Sequence, residues 1–409
     1  MKLLGGVIPI TGISFLMFSI LLIAVVGYAF GRITIKGVSL GTAGVFVVAL
    51  VYGCLFYNTL DAQLPEYTKN ALKIVENIGL IFFVTSVGFI AGPKFFLNLK
   101  VNFKSYVLLG LIIILAGGLS AVVCILVGRA TGEADFDRLT AMVVGLLSGS
   151  LTSTPAFSAA KATVAAEYED IVSVGHGIAY IFGVIGVVLF VQLVPKFTHA
   201  NMEEEVKKIQ IVDDGASLKK KIDNLVKLDS FSFLPFMFAG AAGIFVGAIK
   251  VPLSSQGLSG TTFSLTTTGG CLLVALVMGH FGRIGRLNIM PRESTLKVFR
   301  ELGLMLFLIG AGVAGGASFA ANFQFIYFIY GVFMTIVPMI VGYIFAKKVL
   351  KLSLLNNLGS ITGGMTSTPA LGTLINVAGT EDVASAYAAT YPIALIAVVL
   401  VSQFLIILF

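Results

Sequence analysis

Apolar residues run through this chain in long blocks, and polar residues collect in short breaks between them. Twelve blocks stand out, at residues 13–30, 39–57, 77–92, 105–128, 139–165, 171–194, 231–249, 266–280, 301–316, 324–346, 354–376 and 383–408. Most approach the ~17–25 apolar residues that a helix needs to cross a bilayer, whereas an outer-membrane barrel would show short alternating strands. The pattern predicts an all-α integral membrane protein. Two of the blocks carry the same polar interruption, Thr-Ser-Thr-Pro-Ala, at Thr152–Ala156 and again at Thr366–Ala370. A threonine hydroxyl caps a helix by accepting from an unpaired N–H, and a proline at the first helical position has no N–H to waste. New helices are therefore expected to begin at Pro155 and Pro369, capped by Thr154 and Thr368.

Composition agrees with the block pattern: 57% of the 409 residues are hydrophobic and 11% charged. A net charge of +7 could point to nucleic acid, but no stretch is large enough to form a soluble domain that would carry such a site. The cations report membrane orientation instead. Most of the 27 Lys and Arg fall on five connections: Arg32 and Lys36; Lys94, Lys100 and Lys104; seven between Lys196 and Lys227; Arg283, Arg286, Arg292, Lys297 and Arg300; and Lys347, Lys348 and Lys351. All five are expected to be cytoplasmic. Three blocks lie between the second and third of these connections, so one block does not cross. The block broken at Thr152–Pro155 is that block, turning back as a re-entrant hairpin. Each half then has five transmembrane helices plus one re-entrant hairpin. Halves with an odd number of crossings are inverted relative to each other. Both termini come out extracytoplasmic, as does the acidic connection with Glu167, Glu169 and Asp170. The opening Met-Lys-Leu-Leu-Gly-Gly meets the first block without a small-residue cleavage site, so no removed signal is expected.

Internal repetition reaches along nearly the whole chain. Gly145, Gly149 and Thr152 to Ala156 match Gly359, Gly363 and Thr366 to Ala370 at one spacing. Gly79, Leu80, Gly88 and Gly92 match Gly303, Leu304, Gly312 and Gly316; residues 49–53 echo 275–279; Glu169-Asp170 echoes Glu381-Asp382. The division expected is a first membrane repeat at 1–194, a cytoplasmic linker at 195–230 and an inverted second repeat at 231–409. The linker mixes Lys and Glu with Val206, Ile209, Ile211, Leu218 and Ile222, which reads as a solvated strap with one or two short surface helices.

The doubled Gly-x-x-x-Gly-x-x-Thr-Ser-Thr-Pro-Ala motif, the inverted halves and the central linker resemble the aspartate:alanine exchanger family of bacterial secondary transporters, also described by its YidE/YbjL duplication domain. The resemblance implies a ten-span carrier of small carboxylates in the bacterial inner membrane, exchanging amino acids such as aspartate and alanine or exporting dicarboxylates such as succinate. By analogy with hairpin-bearing carriers, the stationary part would form a homodimer. Many members carry regulatory TrkA-C domains in the central region, and the linker of this chain is too short to hold one.

The residues themselves favour an anion between the two breaks. Opposed helix N-termini present unpaired N–H groups and positive dipole ends, and hydroxyls add donors. The candidate substrate-binding residues are Ser148, Gly149, Ser150, Thr152, Ser153, Thr154 and Pro155 with Thr362, Gly363, Gly364, Thr366, Ser367, Thr368 and Pro369. The glycines are expected to let the backbone approach the substrate. Lys161, whose mirror position is Ile375, either snorkels to the interface or attracts substrate. His176 and His280 read as interfacial, and no Asp or Glu falls convincingly at mid-membrane, which favours exchange or coupling to Na+ over a proton-driven cycle. No metal site is expected, and Cys54, Cys124 and Cys271 read as packing residues. Two other classes remain. A passive anion channel uses similar half-helices, and Ser148 with His176 caricatures an intramembrane serine hydrolase, although Leu146 spoils the usual glycine before the serine.

Overall fold

The computed structural model describes residues 2–3, 8–33, 43–101, 103–209, 226–252 and 262–409. In the first half the helices are α1 (Gly12–Gly31), α2 (Ala43–Gln63), α3 (Thr68–Val101), α4 (Leu108–Ala130), α5 (Phe136–Ser150), α6 (Thr154–Thr163) and α7 (Glu169–Phe197). After the short α8 (Met202–Lys207) the second half repeats the order: α9 (Phe233–Gly247), α10 (Thr266–Phe281), α11 (Glu293–Asn322), α12 (Phe325–Lys348), α13 (Leu354–Gly364), α14 (Thr368–Ala378) and α15 (Ala384–Leu408). Strands among the described residues are only two or three residues long and lie outside the helices, in two two-stranded sheets and one of three strands. Among the described residues, eight helices are long and apolar enough to cross a membrane, namely α1, α2, α3, α4, α7, α11, α12 and α15, while α9 and α10 are apolar but shorter. The fold is that of an all-α membrane protein.

The helices pack in pairs that correspond between the halves. At the centre α3 lies against α11, α10 packs on α3 as α2 packs on α11, and α1 covers α2 as α9 covers α10. Around the two interrupted segments, α5 packs on α7 as α13 packs on α15, α6 meets α15 as α14 meets α7, and α4 meets α15 as α12 meets α7. The matched glycines make these contacts possible. A Cβ on Gly79 would stand 2.6 Å from the Gly303 carbonyl oxygen, and one on Gly303 would stand 2.6 Å from that of Gly79, so α3 and α11 cross backbone to backbone.

Helix ends differ from the apolar blocks where polar residues join a helix without breaking it. Helix α3 begins at Thr68 and takes in Lys69, Lys73 and Glu76 ahead of the block at 77–92, and α11 begins at Glu293, which brings Lys297, Arg300 and Glu301 into a helix. Arg300, expected on a cytoplasmic connection, therefore belongs to a membrane-spanning helix. In the linker, α8 is one short helix of the kind expected. Its Met202 and Val206, with Ile209 just beyond it, pack on the buried cluster of Val191, Leu355, Leu358 and Leu374, so this part is not a freely solvated strap. Ile211, Leu218, Ile222 and Lys36 lie outside the described residues.

Candidate functional site

Both interruptions are built the same way. Helix α5 ends in a left-handed turn at Thr152 (φ 52°), where Thr152 N–H donates to Gly149 O at 2.9 Å and Ser153 N–H to Ser148 O at 2.8 Å. Helix α13 ends identically at Thr366 (φ 51°), with Thr366 N–H on Gly363 O at 3.1 Å and Ser367 N–H on Thr362 O at 2.9 Å. This is the Schellman stop, whose left-handed position is normally glycine. A β-branched residue there is strained, and such strain persists only where the surroundings hold it. What holds it is the other interruption. Thr152 Oγ1 donates to Met365 O at 3.0 Å, and Thr366 Oγ1 donates to Leu151 O at 2.8 Å. Each strained hydroxyl thus satisfies a carbonyl left without an in-helix partner at the end of the opposite half-helix.

The next helices start one residue earlier than proline chemistry suggested. The N-cap of α6 is Ser153, whose Oγ accepts from Ala156 N–H at 3.3 Å, and the N-cap position of α14 is Ser367; each proline is the second helical residue. Thr154 and Thr368 are therefore not the caps. Released from that duty, they face a cavity of ≈ 700 Å³ together with Thr152, Pro155, Thr366 and Pro369. Of the candidate substrate-binding residues, these six line the cavity.

The others are engaged elsewhere. Ser150 Oγ donates to Gly331 O on α12 at 2.9 Å, and Thr362 Oγ1 turns back on Gly359 O at 2.7 Å. Gly149 and Gly363 serve helix packing rather than substrate approach: a Cβ would stand 2.5 Å from the His176 carbonyl oxygen or 2.7 Å from that of Tyr387. Gly364 is likewise filled by Ile113 of α4. Ser367 Oγ is buried without a hydrogen-bond partner.

Across the cavity the two halves contribute different chemistry. From the second half come Arg300, Glu301, Tyr387 and Tyr391; from the first come His176, Tyr180, Phe46 and Phe83. Arg300 Nη2 donates to Glu301 Oε1 at 2.8 Å, and their side chains are 41% and 42% exposed. Tyr387 stacks on Tyr391 with centroids 5.1 Å apart, and its hydroxyl meets Thr368 Oγ1 at 3.3 Å. Arg300, like Glu301, Tyr180, Tyr387 and Tyr391, is a wall residue that sequence reasoning missed. In a run of five Lys and Arg around a turn, nothing in the sequence marks the one that reaches inward.

Three other expectations change. His176 is not interfacial but 1% exposed, stacked on Phe157 at 4.1 Å and bonded through Nδ1 to Ser148 Oγ at 2.8 Å. Ser148 spends its one proton on Gly145 O at 2.7 Å, so its oxygen accepts from a protonated Nδ1. That is the reverse of a base drawing a proton from a serine nucleophile. Lys161 neither snorkels nor faces the cavity: it is 5% exposed and paired with Glu76, Nζ lying 2.8 Å from Oε1 and 3.0 Å from Oε2. Glu76, itself 8% exposed, is a buried carboxylate in a helix long enough to span, and it lies just outside the apolar blocks.

Apolar helices long enough to span a membrane thus surround a cavity lined by both interruptions, an arrangement suited to a membrane permease. The model of the aspartate–alanine exchanger family, described as a predicted permease membrane region, matches residues 19–196 and 235–407. The chain belongs to that family. Among similar proteins, one from Bacteroides thetaiotaomicron is 26% identical over 542 aligned positions, covering 94% of this chain and 97% of the relative. One from Bacteroides fragilis is 25% identical with the same coverage. A third, from Desulfotalea psychrophila, is 24% identical over 551 positions, covering 95% of this chain and 96% of its own length. All three are described as uncharacterized transporters. Alignments longer than the 409 residues of this chain mean that these relatives carry inserted residues.

Proposed function

We propose that this protein exchanges small carboxylates across the bacterial inner membrane by alternating access, binding one substrate between the tips of two re-entrant hairpins, α5–α6 and α13–α14. The halves at 1–194 and 231–409 act as an inverted pair, with both termini extracytoplasmic and the linker at 195–230 cytoplasmic. The α5–α7 and α13–α15 groups move against α1–α3 and α9–α11, which serve as the stationary body and dimer surface. The observation that carries the reading is the pair of mutually bonded, left-handed threonines at repeat-equivalent positions, with Thr154 and Thr368 facing the cavity beside them. Two half-helix N-termini and Arg300 give a carboxylate its donors without a bound metal. Because Glu301 accompanies Arg300 on the wall, the charged residues lining the cavity sum to zero among the described residues, which favours a zwitterionic amino acid over a dicarboxylate.

The test is exchange by purified protein in liposomes preloaded with unlabelled aspartate, alanine or succinate and offered the same compounds labelled outside. Saturable uptake accelerated by internal substrate supports the carrier. Flux that neither saturates nor responds to internal substrate identifies the channel and overturns the proposal.

A further inference from the structure

The cavity has two unlike ends. Helices α3 and α11 run antiparallel, with Gly79 at Gly303 and Gly310 at Glu76. Along α11 the cavity is lined by Arg300, Glu301, Leu304 and Leu308, so Gly310, and with it Glu76, lies just past its far end. The stretch from Arg300 to Gly310 is about 15 Å of helix. At the Arg300 end the charged side chains are about two-fifths exposed. At the Glu76 end the cavity is stoppered by aromatic rings: Phe157 stacks on His176 and meets the edges of Phe46 and Phe307, at 5.9 and 5.4 Å, and all four residues are at most 2% exposed. Lys161 sits behind this stopper, its Nζ 5.8 Å from the Phe157 ring centre, and joins α6 to α3 through Glu76. Farther out, Lys73 of α3 reaches Glu169 of α7 at 2.7 Å, a second link from the same helix to the segment that follows α6.

The second half has no equivalent. The mirror of Lys161 is Ile375, the mirror of Glu76 is Arg300, and His176 and Phe157 correspond to Ala388 and Leu371. We propose that Phe46, Phe157, His176 and Phe307 form the gate at one end of the transport path and that the Lys161–Glu76 pair is its latch, so that the empty carrier rests closed there and open toward Arg300. A buried ion pair adds little to stability compared with an apolar replacement, but parting its members leaves each charge buried and uncompensated, so it strongly selects the arrangement in which they meet. Movement of α6 away from α3 parts them. No movement of α14 carries a comparable penalty, because Ile375 has no charge to lose. This inference rests on the alternating-access reading.

The experiment uses the full chain with Cys54, Cys124 and Cys271 replaced, reconstituted in liposomes, and two single-cysteine reporters: Ala91→Cys on the cavity wall and Ala160→Cys beside the latch. Modification by a membrane-impermeant maleimide is timed from each side of the vesicle. With the latch intact, Ala91→Cys should react from one side and Ala160→Cys barely at all. Lys161→Met or Glu76→Gln should speed Ala160→Cys labelling on the order of tenfold and slow that of Ala91→Cys. The charge-exchanged pair K161E/E76K should restore the original pattern. Where a single replacement prevents folding, the double replacement K161M/E76Q, which leaves no unpaired charge, carries the test and should likewise open the gate. If K161M/E76Q or the folded single variants label as the unmodified latch does, the latch is wrong. Substrate exchange by the latch-intact protein is measured alongside. Its absence would count against transport itself, whereas normal exchange with unaltered labelling in the variants would overturn the latch alone.

Discussion

Thr152 and Thr366 combine strain, hydrogen bonding and symmetry at a single position in each half. Replacing Thr152 by valine keeps the strained backbone and deprives Met365 O of its donor, at a cost of about 1–3 kcal/mol. Glycine loses the same bond but relieves a left-handed conformation worth about 1–3 kcal/mol. Thr152→Gly should therefore melt at a higher temperature in detergent than Thr152→Val. The reverse order would mean that the turn is not strained. Thr154 and Thr368, which face the cavity, should behave differently. Thr154→Val and Thr368→Val should each raise the half-saturating substrate concentration roughly 10- to 100-fold, the worth of a hydrogen bond to a charged group, with little effect on folding. Thr163→Val, whose hydroxyl bonds only back to Ala159 O, is the control and should exchange normally. At this scale the sequence disclosed where the polar breaks fall but not which hydroxyl does what. The left-handed stop moves the cap by one residue and so turns Thr154 and Thr368 inward. The Lys161–Glu76 pair was hidden for another reason: its members stand 85 residues apart, and Glu76 lies one position outside an apolar block.

Among the elements, the repeated glycines were legible as pairs, and their purpose became visible only in the packing. A glycine that admits a substrate and a glycine that admits a neighbouring helix look the same in a sequence. Gly363 belongs to the second kind, since α13 rests on α15 at that point. Gly363→Ala should push the half-helix off its support, lose the monodisperse peak in size-exclusion chromatography and lower the yield of folded protein. Gly372→Ala provides the contrast, because a Cβ there meets nothing within 4 Å. In the exposed part of a helix that exchange should be neutral or stabilising by up to about 1 kcal/mol. Helix limits were less legible than helix existence. The charged opening stretches of α3 and α11, two to three turns long, continue their helices without contributing to an apolar block, and they carry Glu76 in one half and Arg300 in the other.

For the whole molecule, the duplication produces interlocked halves rather than two modules side by side. The largest apolar cluster mixes Leu146, Leu147 and Phe157 of the first half with Phe307, Met334 and Leu395 of the second. Helix α3 is enclosed by α10 and α11, α4 lies between α12 and α15, and α7 meets both α12 and α14. A half made alone would leave these faces, with the hydroxyls of Thr152 and Ser150 and the orphaned carbonyl of Leu151, without partners in a medium that offers no water. Residues 1–194 or 231–409 expressed singly should therefore aggregate or be degraded. Co-expressed, they should assemble and purify together through a tag on either one, because the contacts that join them do not depend on a covalent linker. The assembled pair should also exchange substrate, since α8 and Ile209 rest on the apolar cluster beside α13 and α14 and the cavity residues all lie within the two halves. Copurification without exchange would assign the linker a part in moving the α13–α14 segment. Failure of the halves to associate would mean that chain connectivity, rather than the shared core, brings the two interruptions together.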